Sequence, residues 1–260
     1  SAIMIDTLKK VRISGMELED LHDHVVICGW NQAGPLIVDE LLHGEEYQHF
    51  VIVSESEDID ASPLVREHTG EVLTLQGDYT RIDCLREAGI ERASAALLLA
   101  DQTMEERSNQ DRDARTVLAA MLIEKINADI YTTVQLLNRD NEASLRRVGV
   151  EEIIVSEEYV GNIMATVTKN RGIVSMLDEL LTAKYGHQFY RCNVPENLVG
   201  EKVGDAVSAL KRDYDATLLA VDVRTGRDSS ESVKVNPPTD LVLEDTHFLF
   251  VAASQRPGDG

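Results

Sequence analysis

The stretch His24-Val25-Val26-Ile27-Cys28-Gly29-Trp30-Asn31-Gln32-Ala33-Gly34-Pro35 decides how the chain is read. Its first part is a short apolar run, the mark of a strand covered on both faces. Gly29 follows as a turn residue, and Pro35 suits the first turn of a helix, where its missing N–H costs nothing. Strand, glycine turn and helix in that order open a β-α unit.

The same alternation continues on the C-terminal side. Phe50 to Ser54 reads as a second strand, with Ser62-Pro63 as the N-cap and first residue of the next helix. Val72 to Leu75 is a third, followed by Gly77-Asp78-Tyr79-Thr80, with Thr80 and Asp83 at capping-box spacing. Ala95 to Leu99 makes a fourth, and Leu118, Leu122 and Ile126, with Ala119 and Ile123 beside them, give the following long helix an apolar face. Ile130 to Val134 and Glu152 to Val155 supply the fifth and sixth, with a helix capped by Asp140 and ending at Val148 between them. Six strands with intervening helices predict an α/β fold, a doubly wound Rossmann-type parallel sheet. The right-handed crossover rule puts the loops after strands 1 to 4 on one edge, where such sheets bind ligands.

Past Ser156 the pattern changes. Val160, Ile163, Met164 and Val167 form one helical stripe, and Ile173, Met176, Leu177, Leu180 and Leu181 form another after Gly172. Such stripes need a surface to bury against, either their own sheet or a second copy of the chain. Beyond Tyr185-Gly186 come a strand at Phe189 to Val194, a helix at Val203 to Leu210, and strands near Leu218 to Val223 and Phe248 to Ala252. They predict a small α+β module, with Arg224 to Val233 as a flexible turn inside it.

The chain has 260 residues, with 46 Asp+Glu against 25 Lys+Arg, a net charge of −21 that argues against a nucleic-acid partner. The longest apolar run, Ala93 to Ala100, contains Ser94 and falls far short of the roughly 20 residues that span a bilayer. Cys28, Cys84 and Cys192 form no CxxC pair, so neither a disulfide framework nor a zinc site is expected, and the chain reads as cytosolic. A start at Ser1-Ala2 rather than Met leads to the expectation that further sequence precedes it.

Gly29-Trp30-Asn31-Gln32-Ala33-Gly34 stands where a dinucleotide fingerprint would, with Glu55 at the end of strand 2 as the acid for a ribose hydroxyl. Asn31 replaces the middle glycine, and its side chain is expected to crowd the phosphate path. Pro35 removes an N–H that could face an anion. A nucleotide or another small ligand in this crevice competes with a degenerate core that keeps the turn for folding alone. Acidic loops, Glu55, Glu57, Asp58 and Asp60 after strand 2 and Asp101, Glu105 and Glu106 after strand 4, could hold calcium or be merely solvated. The seven histidines, His24 and His49 among them, form no metal or catalytic constellation, no GxSxG elbow occurs, and Cys28 lies inside a strand. No catalytic residues are predicted; turnover would need a convergent His/Lys/Asp set, which the tail lacks.

Several segments together resemble the RCK family, regulator of potassium conductance. They are Val25-Val-Ile-Cys-Gly-Trp30-Asn, Gly77-Asp78-Tyr79-Thr80, Asn138-Arg-Asp-Asn-Glu142, Arg146-Arg-Val-Gly149 and Glu152-Ile-Ile-Val-Ser156. In the tail, Val194-Pro195-Glu196, Leu198-Val-Gly200, Asn236-Pro237-Pro238 and Leu243-Glu244 follow that family's order, and the resemblance covers about Asp23 to Ala253. It implies a linker from a pore over 1–22, with Lys9, Lys10 and Arg12, and an N-terminal Rossmann subdomain over 23–156. Helices of a crossover and dimer contact would occupy 157–185, and the C-terminal subdomain 186–255. By resemblance the ligand residues are Gly29, Asn31, Gln32, Gly34, Glu55, Asp78, Thr80 and Asp101, with Trp30, Ser54 and Gly77 beside them, and the dimer contact is the pair of stripes named above.

Besides Asn31, two further sites depart from the family. Gln135 and Leu137 stand where calcium-gated members carry carboxylates, and Thr246-His247 replaces a Gly-Asp turn near the last strand. The resemblance implies a non-enzymatic gating module on the cytoplasmic face of the cell membrane. It would be homodimeric, octameric in a ring beneath a potassium channel pore, and would respond to a nucleotide of NAD, ADP/ATP or AMP type or to a divalent cation such as calcium. A peripheral gating subunit of a potassium uptake system and an NAD-dependent oxidoreductase are the alternatives.

Overall fold

A computed structural model describes residues 18–44, 46–56, 62–223 and 232–258. These group into two compact units that divide between Thr166 and Val167. In the first, β1 (Val25–Cys28), β2 (Phe50–Ser54), β3 (Val72–Gln76), β4 (Ala95–Leu98), β5 (Tyr131–Leu136) and β6 (Glu152–Val155) form one sheet in the order β3-β2-β1-β4-β5-β6. Every pairing in it is parallel. Val25 lies opposite both Phe50 and Ala95, so the order reverses at β1, as a doubly wound sheet requires.

All four residues of β1 are buried because helices cover both faces. Val26 and Cys28 face one side with Val51, Val53, Leu98 and Ile123, while Val25 and Ile27 face the other with Phe50, Ile52 and Val38. The helices are α1 (Gly34–His43), α2 (Pro63–Glu67), α3 (Ile82–Glu87), α4 (Asn109–Ile126) and α5 (Glu142–Val148). Ser62 caps α2 as its sequence predicts, its Oγ accepting from Val65 N–H at 3.3 Å.

Other local expectations are corrected. Thr80 does not cap α3: its hydroxyl is spent on Asp78, and Arg81 stands at the N-cap with no side-chain bond. Asn138 rather than Asp140 opens the 3₁₀ turn that leads into α5, its side chain accepting from Asp140 N–H at 3.2 Å. Leu118 is 46% exposed; α4 buries Asp113, Thr116, Ala119, Ala120 and Ile123, so Ile123 and small residues meet the sheet while Leu118 faces away from it. β5 runs on past Val134 to Leu136, where the buried Asp113 carboxylate accepts from the N–H groups of Leu137 and Asn138 at 2.9 and 2.8 Å.

His24 is buried immediately before β1, its Nε2 2.9 Å from the Ala88 carbonyl oxygen and its Nδ1 without a partner. Burial pushes its pKa below the ordinary value, and Arg92 adds to the shift. A histidine depressed in the fold binds its proton more readily unfolded, so stability is full above about pH 6.5 and falls as pH drops below it. Urea unfolding at pH 7, 6 and 5 should show this loss, and His24→Gln should flatten it; an unchanged slope would assign the dependence to another group.

In the second unit β7 (Gln188–Asn193), β8 (Thr217–Asp222), β9 (Val233–Val235) and β10 (Phe248–Ala253) form an antiparallel sheet in the order β7-β10-β8-β9. The long helix here (Val203–Tyr214), to be called α8, buries Val203, Ala206 and Leu210 against Val221, Leu249 and Val251. β9 is a strand the sequence does not announce, because its three residues are all exposed. Of the turn expected at Arg224 to Val233, residues 224–231 lie outside the described residues. At the departure near the last strand, His247 N–H donates to the Glu244 carbonyl and the Glu244 N–H reaches His247 Nδ1, closing a turn without the glycine.

Between the sheets in sequence lie α6 (Ser156–Lys169) and α7 (Ile173–Leu180), separated by Gly172 at φ +90°. Neither helix buries a single residue. No helix among the described residues is long and apolar enough to cross a membrane.

Candidate functional site

The crevice lies at the C-terminal edge of β1 to β4. Gly29 turns the chain at φ +79°, its N–H donating to Val53 O at 2.9 Å. A Cβ there would stand 2.8 Å from Leu99 O and 3.1 Å from Asp101 Cβ, so both backbone and space demand glycine. At Gly34 a Cβ would meet the Trp30 ring at 2.7 Å, which makes this glycine a seat for the buried indole at the start of α1.

Asn31 corrects an expectation. Its side chain is turned into the protein, 8% exposed, and does not stand across the loop. Nδ2 donates to Ala100 O at 3.1 Å and to Gln135 Oε1 at 2.9 Å, and Oδ1 accepts from Ala33 N–H at 3.0 Å. A buried amide is held where all its polar atoms are matched, and these are.

The acids of the edge are brought together by two arginines that sequence reasoning missed. Glu55 Oε2 meets Arg107 Nη2 at 2.6 Å and Arg115 Nη2 at 2.9 Å, and the same Arg115 nitrogen donates to Asp78 Oδ1 at 2.7 Å. Asp78 Oδ1 also accepts from the Thr80 N–H at 2.9 Å and hydroxyl at 2.6 Å. Burial pushes the Asp78 carboxyl up, but the Thr80 hydrogen bonds and the Arg115 charge outweigh it and leave the pKa below its ordinary value. Asp101, 1% exposed, accepts from the Thr103 N–H and hydroxyl at 3.0 and 2.7 Å, with Arg107 Nη1 3.9 Å from its other oxygen.

Tyr79 lies beneath Arg115, whose guanidinium carbon is 5.1 Å from the ring centroid. Burial and the nearby Asp101 charge push its hydroxyl pKa up, so it stays protonated. Asp101 Oδ2 and Arg107 Nη1 are buried and face each other as an ion pair at 3.9 Å, while the Arg115 guanidinium and the Tyr79 hydroxyl interact with one another. The edge thus sets two arginines and a tyrosine beside the acids Glu55, Asp78 and Asp101. A signal for the arginines existed: acids converging on one edge need counter-charges, and the segment just after strand 4 carries them.

Of the other expected residues, Ser54 is buried, its Oγ accepting from Ser56 N–H at 3.1 Å, Gln32 is exposed, and Gly77 is packed against Cys84, with N–H donating to Ser54 O at 2.8 Å. Glu57, Asp58 and Asp60 lie outside the described residues, as do Lys9, Lys10 and Arg12. Among the described residues no group of three or more His, Cys, Asp or Glu is placed to hold a metal ion. Burial pushes the Cys84 thiol up to about 12 and Cys28 higher still, so neither is a thiolate.

A six-stranded parallel sheet with a glycine turn after β1 and acids after β2, β3 and β4 defines a Rossmann-type ligand-binding unit, here followed by a small antiparallel α/β unit. Residues 25–156 match the model of the TrkA-N domain, half of the chain, and the protein belongs to this family, the RCK domains. The calcium-gated potassium channel TvoK of Thermoplasma volcanium is 25% identical over 190 residues, covering 73% of this chain and 53% of that protein. Potassium channel protein 1 of Methanocaldococcus jannaschii is 23% identical over 253 residues, covering 97% and 67%. The chain thus spans about half to two thirds of the length of the curated relatives it matches. The human SLO3 gating ring shares the fold, with a TM-score of 0.65 at 14% identity over 89% of this chain and 44% of that one.

Proposed function

We propose that this chain is the ligand-sensing regulatory module of a potassium channel, working on the cytoplasmic face of the membrane, and that its effector is a nucleotide held in the crevice of the parallel sheet. The observation that carries this is the placing of Arg107, Arg115 and Tyr79 beside Glu55 and Asp101 at the C-terminal edge of the parallel sheet. Arginine forks recognise phosphate, and a carboxylate at the end of β2 suits a ribose hydroxyl. A divalent cation in the same crevice is the second reading. It is the weaker, because the Glu55 and Asp78 carboxylates are already engaged by arginine.

Regulation follows from differential affinity: an effector shifts a gate only by binding one conformation more tightly than another. The crevice residues bind and orient, and none is poised for acid–base or nucleophilic turnover. A peripheral subunit of a potassium uptake system would use the same crevice, and identifying the polypeptide or pore to which the chain is joined separates the two. The oxidoreductase alternative predicts reduction of NAD with some small substrate, which this reading does not. The two apolar helices α6 and α7 are proposed to pair with a second copy, within a larger ring.

Calorimetric titration with ADP, AMP, NAD and calcium tests the site. Saturable heat is expected from a nucleotide, and Arg115→Met should weaken it tenfold or more, about 1.4 kcal/mol. Saturation by calcium alone would favour the second reading, and silence from every ligand would overturn both.

A further inference from the structure

Gln135, at the C-terminal end of β5, touches three separate elements through one amide. Its Oε1 accepts from Ala100 N–H at 3.0 Å and from Asn31 Nδ2 at 2.9 Å, and its Nε2 donates to Ser156 Oγ at 2.7 Å. Asn31 belongs to the glycine loop after β1, Ala100 follows β4, and Ser156 is the first residue of α6. The chain β1 loop, Asn31, Gln135, Ser156 therefore runs across the switch point of the sheet and ends at the crossover helix.

The chemistry of the side chain makes this connection specific. A primary amide offers an acceptor at one end and donors at the other in a rigid plane, so Gln135 cannot follow a shift of Asn31 without moving its NH₂ relative to Ser156. Glutamate could keep the contact only by reversing it, accepting from the Ser156 hydroxyl, and leucine would bond to neither side. Asn31 is itself anchored, because its Oδ1 holds the Ala33 N–H at the start of α1. At the other end β6 stops at Val155 and α6 starts at Ser156 with no connecting loop, so a displacement of Ser156 displaces the helix. Bidentate pairing of Arg139 with Glu158 braces the same first turn from outside.

We infer that Gln135 is a positioning residue that ties the conformation of the Asn31 loop to the first turn of α6, so that occupancy of the crevice is felt in the crossover helix. Its link to occupancy rests on the proposed ligand site; the mechanical tie between loop and helix does not. Two groups joined through a shared partner respond non-additively when each is removed, and this is the signature to look for.

The experiment is a double-mutant cycle read by amide hydrogen exchange at Val160 to Ile163, whose N–H groups close the first turns of α6. In the ligand-free chain, Asn31→Ala should speed this exchange about fivefold in the wild-type background and less than twofold in Gln135→Met. Exchange at Val26 and Ile52 should stay constant, which separates the effect from general destabilisation. Equal effects of Asn31→Ala in both backgrounds, or no effect in either, would overturn the tie. The second arm adds ADP or NAD at saturation, which should slow exchange at Val160 to Ile163 in the wild type and not in Gln135→Met. If both nucleotides are calorimetrically silent while the ligand-free cycle is non-additive, the ligand reading fails and the tie stands. If a nucleotide binds and slows α6 equally in both backgrounds, the tie fails and the ligand reading stands.

Discussion

Gly29→Val is expected to remove about 3 to 5 kcal/mol of folding stability, a large share of the roughly 5–15 kcal/mol a domain has to lose. Part of that is backbone, because φ +79° costs a residue with a Cβ about 1–2 kcal/mol. The rest is space. The carbonyl of Leu99 and the Cβ of Asp101 would stand 2.8 and 3.1 Å from the new carbon. Neither can retreat cheaply, since Leu99 N–H is bonded to Cys28 O at 2.9 Å and Asp101 is fully packed. Gly70→Ala is the contrasting substitution: nothing lies within 4 Å of its Cβ, and its stability should change by less than about 1 kcal/mol. Urea denaturation of the two variants separates them; similar losses would show that the turn tolerates a side chain.

The second large effect concerns association. Val160 is 58% exposed and Met176 51%, with Ile163 and Val174 similarly open, on helices that bury nothing. Exposed apolar faces of this kind mark interaction sites. If the proposed pairing of these helices holds, Ile163→Asp combined with Met176→Asp should convert the dimer into a species of half the mass in sedimentation equilibrium. Far-ultraviolet circular dichroism should stay unchanged, because neither side chain supports the core of the chain that carries it. A mass that does not fall would assign these faces to some other contact.

The strands of the parallel sheet were readable because those from β1 to β4 are apolar runs, and Pro35 and Ser62-Pro63 marked the starts of two helices. Boundaries were less legible where the deciding contact is distant in sequence. β5 ends where it does because Asp113, on α4, captures two N–H groups beyond it, and nothing local to Leu137 records that. β9 hides for the opposite reason: three exposed residues bury no side chain and leave no periodic trace. In the crevice, glycine and acids were visible from their place after the strands. Gln135 was visible only as a position lacking the family's carboxylate, and Arg107 and Arg115 were signalled only indirectly, by the counter-charge that converging acids require, since an arginine in an acidic chain reads as surface until the fold lays it across a carboxylate. Asn31 misled, because a side chain at a fingerprint position was assumed to face the ligand, whereas matching its amide in the interior is worth more.

The crossing of Arg107 and Arg115 over Glu55 and Asp78 has an electrostatic consequence for a chain of net charge −21. Opposite charges a few ångströms apart cancel at a distance, and salt screens the remaining field of the molecule within about 10 Å. An acidic surface would otherwise drive away an anion before it arrived. Two arginines set against Glu55, Asp78 and Asp101 leave this group with a single excess negative charge, a lower barrier than three bare acids would raise.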